Sequence, residues 1–235
     1  MPQLRRLAIT AEDPVKLAGF YQKVFDLEAI GAEEGGVFLS DGNFNLALLP
    51  AREATGLRCL GFDTARVDSI KKRLAHAENG ESNLVECAPK AGIEYEMRDP
   101  DGNVIGLCKR AFDVAYGQTP VPVRHIALYT PDPQRLANFY CQVLGMKEVD
   151  RTDRSSIFVS DGYFNLALLC QRKEEKIGLN HFGFHVKSNE EMRERVGRAG
   201  VATGARRPDR IPFAEYRVHD PEGNGIDISE KGWKV

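Results

Sequence analysis

The sequence predicts an α+β protein of four βαβββ modules, paired into two barrel-like domains. Three observations lead there. Phe38-Leu39-Ser40-Asp41-Gly42-Asn43-Phe44-Asn45-Leu46-Ala47-Leu48-Leu49 returns as Phe158-Val159-Ser160-Asp161-Gly162-Tyr163-Phe164-Asn165-Leu166-Ala167-Leu168-Leu169. Asp13-Pro14 and Phe20-Tyr21 return as Asp132-Pro133 and Phe139-Tyr140, and the turn Asp-Pro-(Asp/Glu)-Gly-Asn occurs at 99–103 and at 220–224. The offset drifts only from 119 (132 − 13) to 121 (220 − 99), so the two halves are duplicates. Within each half the order strand, helix, three strands is legible twice.

Residues 4–10 alternate as a strand does, and Asp13-Pro14 then opens an amphipathic helix to about Phe25. Asp13 is a good N-cap, and Pro14 suits the first helical position because its missing N–H is not needed there. Strands follow at 28–32, 37–40 and 44–49. The second module has its first strand at 57–65, a helix at 67–77, and strands at 84–87, 94–98 and 104–109. The other half begins new modules at Val123 and Leu179, with helices at 133–143 and 189–199 and Gly145 and Gly200 as helix stops. A boundary falls near 117–122, a turn-rich Gly-Gln-Thr-Pro-Val-Pro run. The expected domains are 1–116 and 123–235. One module leaves a curved apolar sheet face uncovered; pairing two closes it into a cup suited to a ligand.

Of 235 residues, 42% are hydrophobic and 28% charged, with a net charge of −2, which is ordinary for a soluble globular chain and offers no footprint for nucleic acid. The basic run Arg206-Arg207-Pro208-Asp209-Arg210 reads first as a solvated loop, with a face for an anionic substrate as the alternative. No apolar run is long enough to span a membrane, and five scattered cysteines without a C-x-x-C pair suggest reduced thiols in a cytoplasmic protein, with no structural zinc site.

The first strands of the modules place Arg6, Cys59, His125 and His181 at equivalent positions, and the last strands place Gly106 opposite Asp227 in the alignment of halves. A lone His on a strand is ordinarily a hydrogen-bonded or surface residue. Here three metal-ligand types occur together in one half and are absent together from the other. Two imidazoles and one carboxylate leave open coordination positions, which suits non-haem Fe(II), with Mn(II) as the alternative. The expected ligands are therefore His125, His181 and Asp227, with the N-terminal cup carrying no metal.

Paired βαβββ modules, a His opening the strand and a D-P-x-G-N-x-I-(E/D) ending resemble the vicinal oxygen chelate superfamily, which includes glyoxalases, epimerases, bleomycin-type antibiotic-resistance proteins and extradiol dioxygenases. The four-module layout with metal only in the C-terminal pair is most similar to the two-domain extradiol dioxygenases. That resemblance implies ring cleavage of a catechol-like substrate with O2 on Fe(II), and a homodimer. Its carboxylate is usually Glu; Asp227 is one methylene shorter. The same-fold alternatives are a glyoxalase- or epimerase-like lyase or isomerase, and a metal-free small-molecule-binding protein. Four-ligand cups of the glyoxalase kind are disfavoured, since Ala167 stands where the fourth ligand would be, with Asn165 nearby on the same face. His185, four residues beyond His181 on one strand face, is a candidate catalytic acid/base or else fills the cup; Tyr216, the other catalytic candidate, matches the family's active-site Tyr in type but differs by about one residue in its distance from the carboxylate. His219 reads as a turn residue.

Overall fold

The computed structural model describes all residues except 53–54, 77–83, 91, 109–120, 153–154 and 209–213, so the expected boundary at 117–122 lies largely outside the described residues. The first module comprises β1 (Gln3–Ala11), α1 (Pro14–Phe25), β2 (Glu28–Glu33), β3 (Gly36–Ser40) and β4 (Asn45–Pro50). The second comprises β5 (Gly56–Asp63), α2 (Val67–His76), β6 (Val85–Lys90), β7 (Ile93–Arg98) and β8 (Val104–Cys108). In the third are β9 (Val123–Thr130), α3 (Pro133–Gln142), β10 (Lys147–Arg151), β11 (Ile157–Ser160) and β12 (Asn165–Cys170). The fourth holds β13 (Gly178–His185), α4 (Asn189–Arg198), β14 (Tyr216–His219) and β15 (Gly225–Ser229). It is one strand shorter than expected among the described residues: a single bridge, Arg206 to Tyr216, stands where a strand was predicted.

The strands form two open, curved sheets rather than closed barrels, with orders β2-β3-β4-β1-β5-β8-β7-β6 and β10-β11-β12-β9-β13-β15-β14. Local chemistry agrees with the expected starts. Asp13 and Asp132 accept from the backbone N–H of Lys16 and Arg135, each at 3.0 Å, and each helix then opens on its Pro. Gly102 and Gly223, the turn glycines, both have φ of 86°, the left-handed region that a side chain disfavours. The turn aspartates organise the rest: Asp99 Oδ1 accepts the N–H groups of Asp101 and Asn103, and Asp220 Oδ1 those of Glu222 and Asn224.

Period-two alternation decides which face is hollow. On β1 and β9 the large residues Leu7, Ile9, Ile126 and Leu128 point to the helices and join one continuous core. The opposite, concave faces carry Ala8 and Ala47 in one sheet and Ala127 and Ala167 in the other. Small side chains on the concave faces leave the cups.

The main core is continuous between the sheets, because α1 and α3 cover their own module's strands and also reach aromatic residues of the other half. Phe25 of α1 stacks on Phe184 of β13 with centroids 4.0 Å apart, and Tyr140 of α3 meets Phe62 of β5 at 6.5 Å. The polar ties are reciprocal too. Tyr21 donates to Asp220 at 2.6 Å and Tyr140 to Asp99 at 3.1 Å, while the N–H groups of Leu4 and Val123 reach Asp161 and Asp41, each at 2.7 Å. The repeated Ser-Asp-Gly and Asp-Pro-x-Gly-Asn segments are therefore the joints between halves as well as turns. Phe139 and Tyr140 lie in this core, whereas Phe158 faces the C-terminal cup with Ala127 and Ala167. No helix among the described residues is long and apolar enough to cross a membrane.

Candidate metal centre

In the C-terminal cup, β9, β13 and β15 lie side by side. Gly183 is opposite His125 on one side and Asp227 on the other, and His181 is two residues along the same face of β13. The ladder thus brings together residues more than a hundred positions apart. All three side chains are buried, at 3%, 5% and 2% exposure for His125, His181 and Asp227. The two Nε2 atoms lie 3.2 Å apart, and His181 Nε2 is 3.1 Å from Asp227 Oδ2.

Two asparagines settle which nitrogens carry hydrogen. Asn165 donates its Nδ2 to the Lys234 carbonyl at 2.7 Å, which turns its Oδ1 toward His125 Nδ1 at 2.8 Å. Asn180 offers Oδ1 to His181 Nδ1 at 2.6 Å, with Arg217 Nη1 at 3.5 Å from the same oxygen. An amide oxygen only accepts, so both Nδ1 atoms are donors and the Nε2 lone pairs face the cup. Burial pushes His125 down to about 3, helped by the neighbouring His181, and burial also lowers His181. Burial works against the charge of Asp227, yet His181 and Arg217 hold its carboxyl far below the ordinary carboxylate range. Three acceptors this close need one positive centre among them, either a proton on His181 Nε2 or a metal ion.

The carboxylate has other partners. Arg217 donates Nε to Asp227 Oδ1 at 2.5 Å, and Arg207 donates Nη1 to Oδ2 at 2.6 Å. The expectation that the Arg206-Arg207 run is a solvated loop is therefore wrong for Arg207, which turns inward because a buried carboxylate draws it; Arg210 lies outside the described residues. As arranged here, no three His, Cys, Asp or Glu side chains among the described residues are set to hold a metal ion. Arg207 is the visible obstacle, since it occupies the oxygen nearest the imidazoles. The donor chemistry itself fits a divalent ion of the Fe(II) or Mn(II) kind, once Arg207 gives up Oδ2: two imidazoles with bare Nε2, one carboxylate, and both rings oriented from behind.

Trp233 is the other unexpected member. Its indole stacks on His125, centroids 4.9 Å apart and planes within 3°. Gly183 makes room for it, since a Cβ there would lie 2.7 Å from Trp233 Cζ2. The tail is latched by Lys234, whose carbonyl accepts from Asn165 and whose Nζ pairs with Asp150 at 2.9 Å.

His185 shares the face of His181 but lies at the far end of the strand, with Nε2 3.1 Å from the Glu230 carbonyl. Tyr216 points away: it pairs with Ile228, and its ring packs beneath the Arg193 guanidinium at 4.5 Å. The residue opposite Asp227 is Arg217. The sequence held that signal. A hairpin centred on the 220–224 turn pairs positions whose numbers sum to 444 (216 + 228), which puts 217 opposite 227. Asn165, on the same face as Ala167, holds the His125 ring.

Residues 123–228 match the family model described as Glyoxalase/Bleomycin resistance protein/Dioxygenase superfamily. A catechol-2,3-dioxygenase of Bacillus subtilis (strain 168) is 28% identical over 105 residues, which is 40% of this chain and only 36% of that protein. The whole fold is similar to that of the 2,3-dioxygenase LapB from Pseudomonas sp. KL28, with a TM-score of 0.78, 17% identity, and coverage of 99% of this chain and 93% of the other. It is similar also to the Mn(II)-bound glyoxalase from Novosphingobium aromaticivorans, with a TM-score of 0.74, 17% identity, and coverage of 100% and 85%. The family match thus lies in the half that carries His125, His181 and Asp227, and it covers a little under half of the chain.

Proposed function

We propose that the protein is a metal-dependent enzyme of the extradiol dioxygenase type, taking a catechol-like small molecule and O2, with His125, His181 and Asp227 holding Fe(II) or Mn(II). The observation that carries this is the convergence of two bare imidazole nitrogens and one carboxylate oxygen within 3.2 Å steps inside a buried cup. The likeness to catechol and homoprotocatechuate dioxygenases supports the substrate class. A bound ion of this kind supplies a Lewis-acidic, electron-conducting template for two neighbouring oxygens and dioxygen.

The chain's own residues do the remaining work. Asn165 and Asn180 keep both rings in the ligating tautomer, and burial keeps His125 neutral at working pH. Arg217 Nη2 is buried with no hydrogen-bond partner among the described residues, a donor that can serve a substrate oxygen. The two guanidiniums favour an anionic substrate form, such as a catecholate. Trp233 shields His125 from water on one face.

A second reading, a metal-free small-molecule-binding protein, is favoured by the arginines on both oxygens of Asp227 and by the absence of His185 and Tyr216 from its contacts. Anaerobic reconstitution with Fe(II) or Mn(II), metal analysis, and oxygen uptake with a catechol panel separate the readings. One ion per chain with oxygen uptake and a yellow product is the expected result. Metal without oxygen uptake would point to a lyase or isomerase, and no bound metal to the metal-free reading.

A further inference from the structure

Trp233 stands where a ligand of the C-terminal cup would have to lie. Gly183 faces His125 on one side of β13 and Asp227 on the other, so it is the floor between the candidate ligands. The benzene edge of the indole rests on that floor: a Cβ on Gly183 would lie 2.7 Å from Cζ2 and 2.8 Å from Cη2. The ring plane is within 3° of the His125 imidazole. A flat aromatic ring is thus already seated against the imidazole.

The next residue supplies an oxygen. Asn165, 1% exposed, gives Nδ2 to the Lys234 carbonyl at 2.7 Å while its Oδ1 faces His125 Nδ1. If that carbonyl leaves, the donor needs another oxygen, because a buried N–H without a partner is costly. The segment therefore offers the cup a ring and an acceptor oxygen, the two features of an oxygen-bearing aromatic ligand.

The segment is anchored at its start. The Glu230 N–H donates to Glu215 Oε2 at 3.1 Å, its carboxylate accepts the Asn189 N–H at 2.5 Å, and its carbonyl lies 3.1 Å from His185 Nε2. Gly232 follows with φ of 70°, a left-handed turn that suits glycine, and its N–H donates to Ser229 Oγ at 3.0 Å. Beyond this turn the chain meets water. Trp233 is only partly buried and joins none of the apolar clusters among the described residues. The ion pair of Lys234 with Asp150 has side chains 60% and 24% exposed, and such a pair contributes little.

We propose that residues 232–235 are a built-in plug of the C-terminal cup, a stand-in that an aromatic molecule bearing an oxygen must displace, with Gly232 as the hinge. The kind of ligand rests on the proposed function; the displacement does not.

Oxindole, a flat two-ring molecule with one carbonyl oxygen and no second oxygen to chelate a metal, is the probe. It is titrated calorimetrically into the metal-free full chain, and the emission of Trp233 is followed in parallel. The wild type should bind it weakest. Asp150→Lys, which keeps the indole but repels Lys234, should bind about two- to fivefold tighter, the worth of an exposed ion pair. Trp233→Ala should bind about tenfold tighter or more, since the stacked ring no longer competes. Wild-type emission should shift to the red as oxindole binds, because the indole leaves its stack. Equal affinity in the three proteins overturns the proposal, as does no binding to a folded Trp233→Ala at millimolar oxindole. Weaker binding in Trp233→Ala also overturns it, the indole then being a platform for the ligand. So does wild-type emission unmoved at saturation. If Trp233→Ala fails to fold by circular dichroism, Asp150→Lys and the wild-type emission decide. Failure of catechol to consume oxygen would refute the proposed function and leave these oxindole results as they stand.

Discussion

Replacing Arg207 by Leu should make the C-terminal cup a better metal site and a less stable apoprotein at once. Arg207 Nη1 lies 2.6 Å from Asp227 Oδ2, the oxygen that also faces His181 Nε2 at 3.1 Å. A hydrogen bond to a charged group is worth about 1.5–3 kcal/mol, and a metal ion must first displace it. Two unit charges 4 Å apart interact by about 4 kcal/mol at an effective dielectric of about 20, so the guanidinium also repels the incoming ion. Its side chain is 22% exposed, so solvent screens part of that repulsion. Together these give a gain of about 10- to 100-fold in Mn(II) affinity at roughly 1.4 kcal/mol per tenfold. Without metal, Asp227 loses a partner and the variant should unfold about 1–3 kcal/mol more easily. Calorimetric titration with Mn(II) and urea unfolding with and without the ion give both numbers. Arg217→Leu is the control, because Arg217 Nε holds Oδ1, the oxygen turned away from the imidazoles, and should tighten the ion less. Unchanged or weaker Mn(II) binding in Arg207→Leu refutes the reasoning.

Three further outcomes follow from the same geometry. Tyr21→Phe should destabilise by about 1.5–3 kcal/mol in urea and Tyr140→Phe by less, since their hydroxyls reach buried aspartates at 2.6 and 3.1 Å; equal effects would show that the cross-half ties do not differ in strength. His125 takes up its proton at 6.5 when unfolded and at about 3 when folded, so the unfolded chain binds the proton first as pH falls. Its contribution is therefore whole above pH 6.5 and is lost at up to about 1.4 kcal/mol per pH unit below it. Metal-free protein should show that slope in urea unfolding between pH 7 and pH 5, and His125→Asn a shallower one; matching slopes would exclude His125 as the cause. Gly183→Ala places a methyl where Trp233 Cζ2 lies 2.7 Å away, so the indole must leave its stack on His125. Because the chain has one tryptophan, its emission should shift to the red, and an unmoved spectrum would contradict the stacking.

The duplication and the four-module order were readable directly, because a repeat carries its own proof and strands alternate with period two. The same alternation put His125, His181 and Asp227 on one concave face, and the turn sequence at 220–224 already required Arg217 opposite Asp227. Tyr216 was misread as facing the site because its residue type was weighed above its position in the hairpin; a one-residue offset puts it on the other face. Other features depend on segments with no periodic relation to each other. Arg207 arrives from the stretch before β14, Trp233 from the C-terminal tail, and Tyr21 finds Asp220 across 199 positions. Such contacts are set by how the two sheets pack through their helices. The contrast between the cups has the same origin. The alignment of halves shows Gly106 where Asp227 stands, and only packing shows Ile93 and Cys59 filling the carboxylate's place. Sequence alone determined which residues share a face; tertiary structure decided which faces are filled, because that depends on side chains brought from distant parts of the chain.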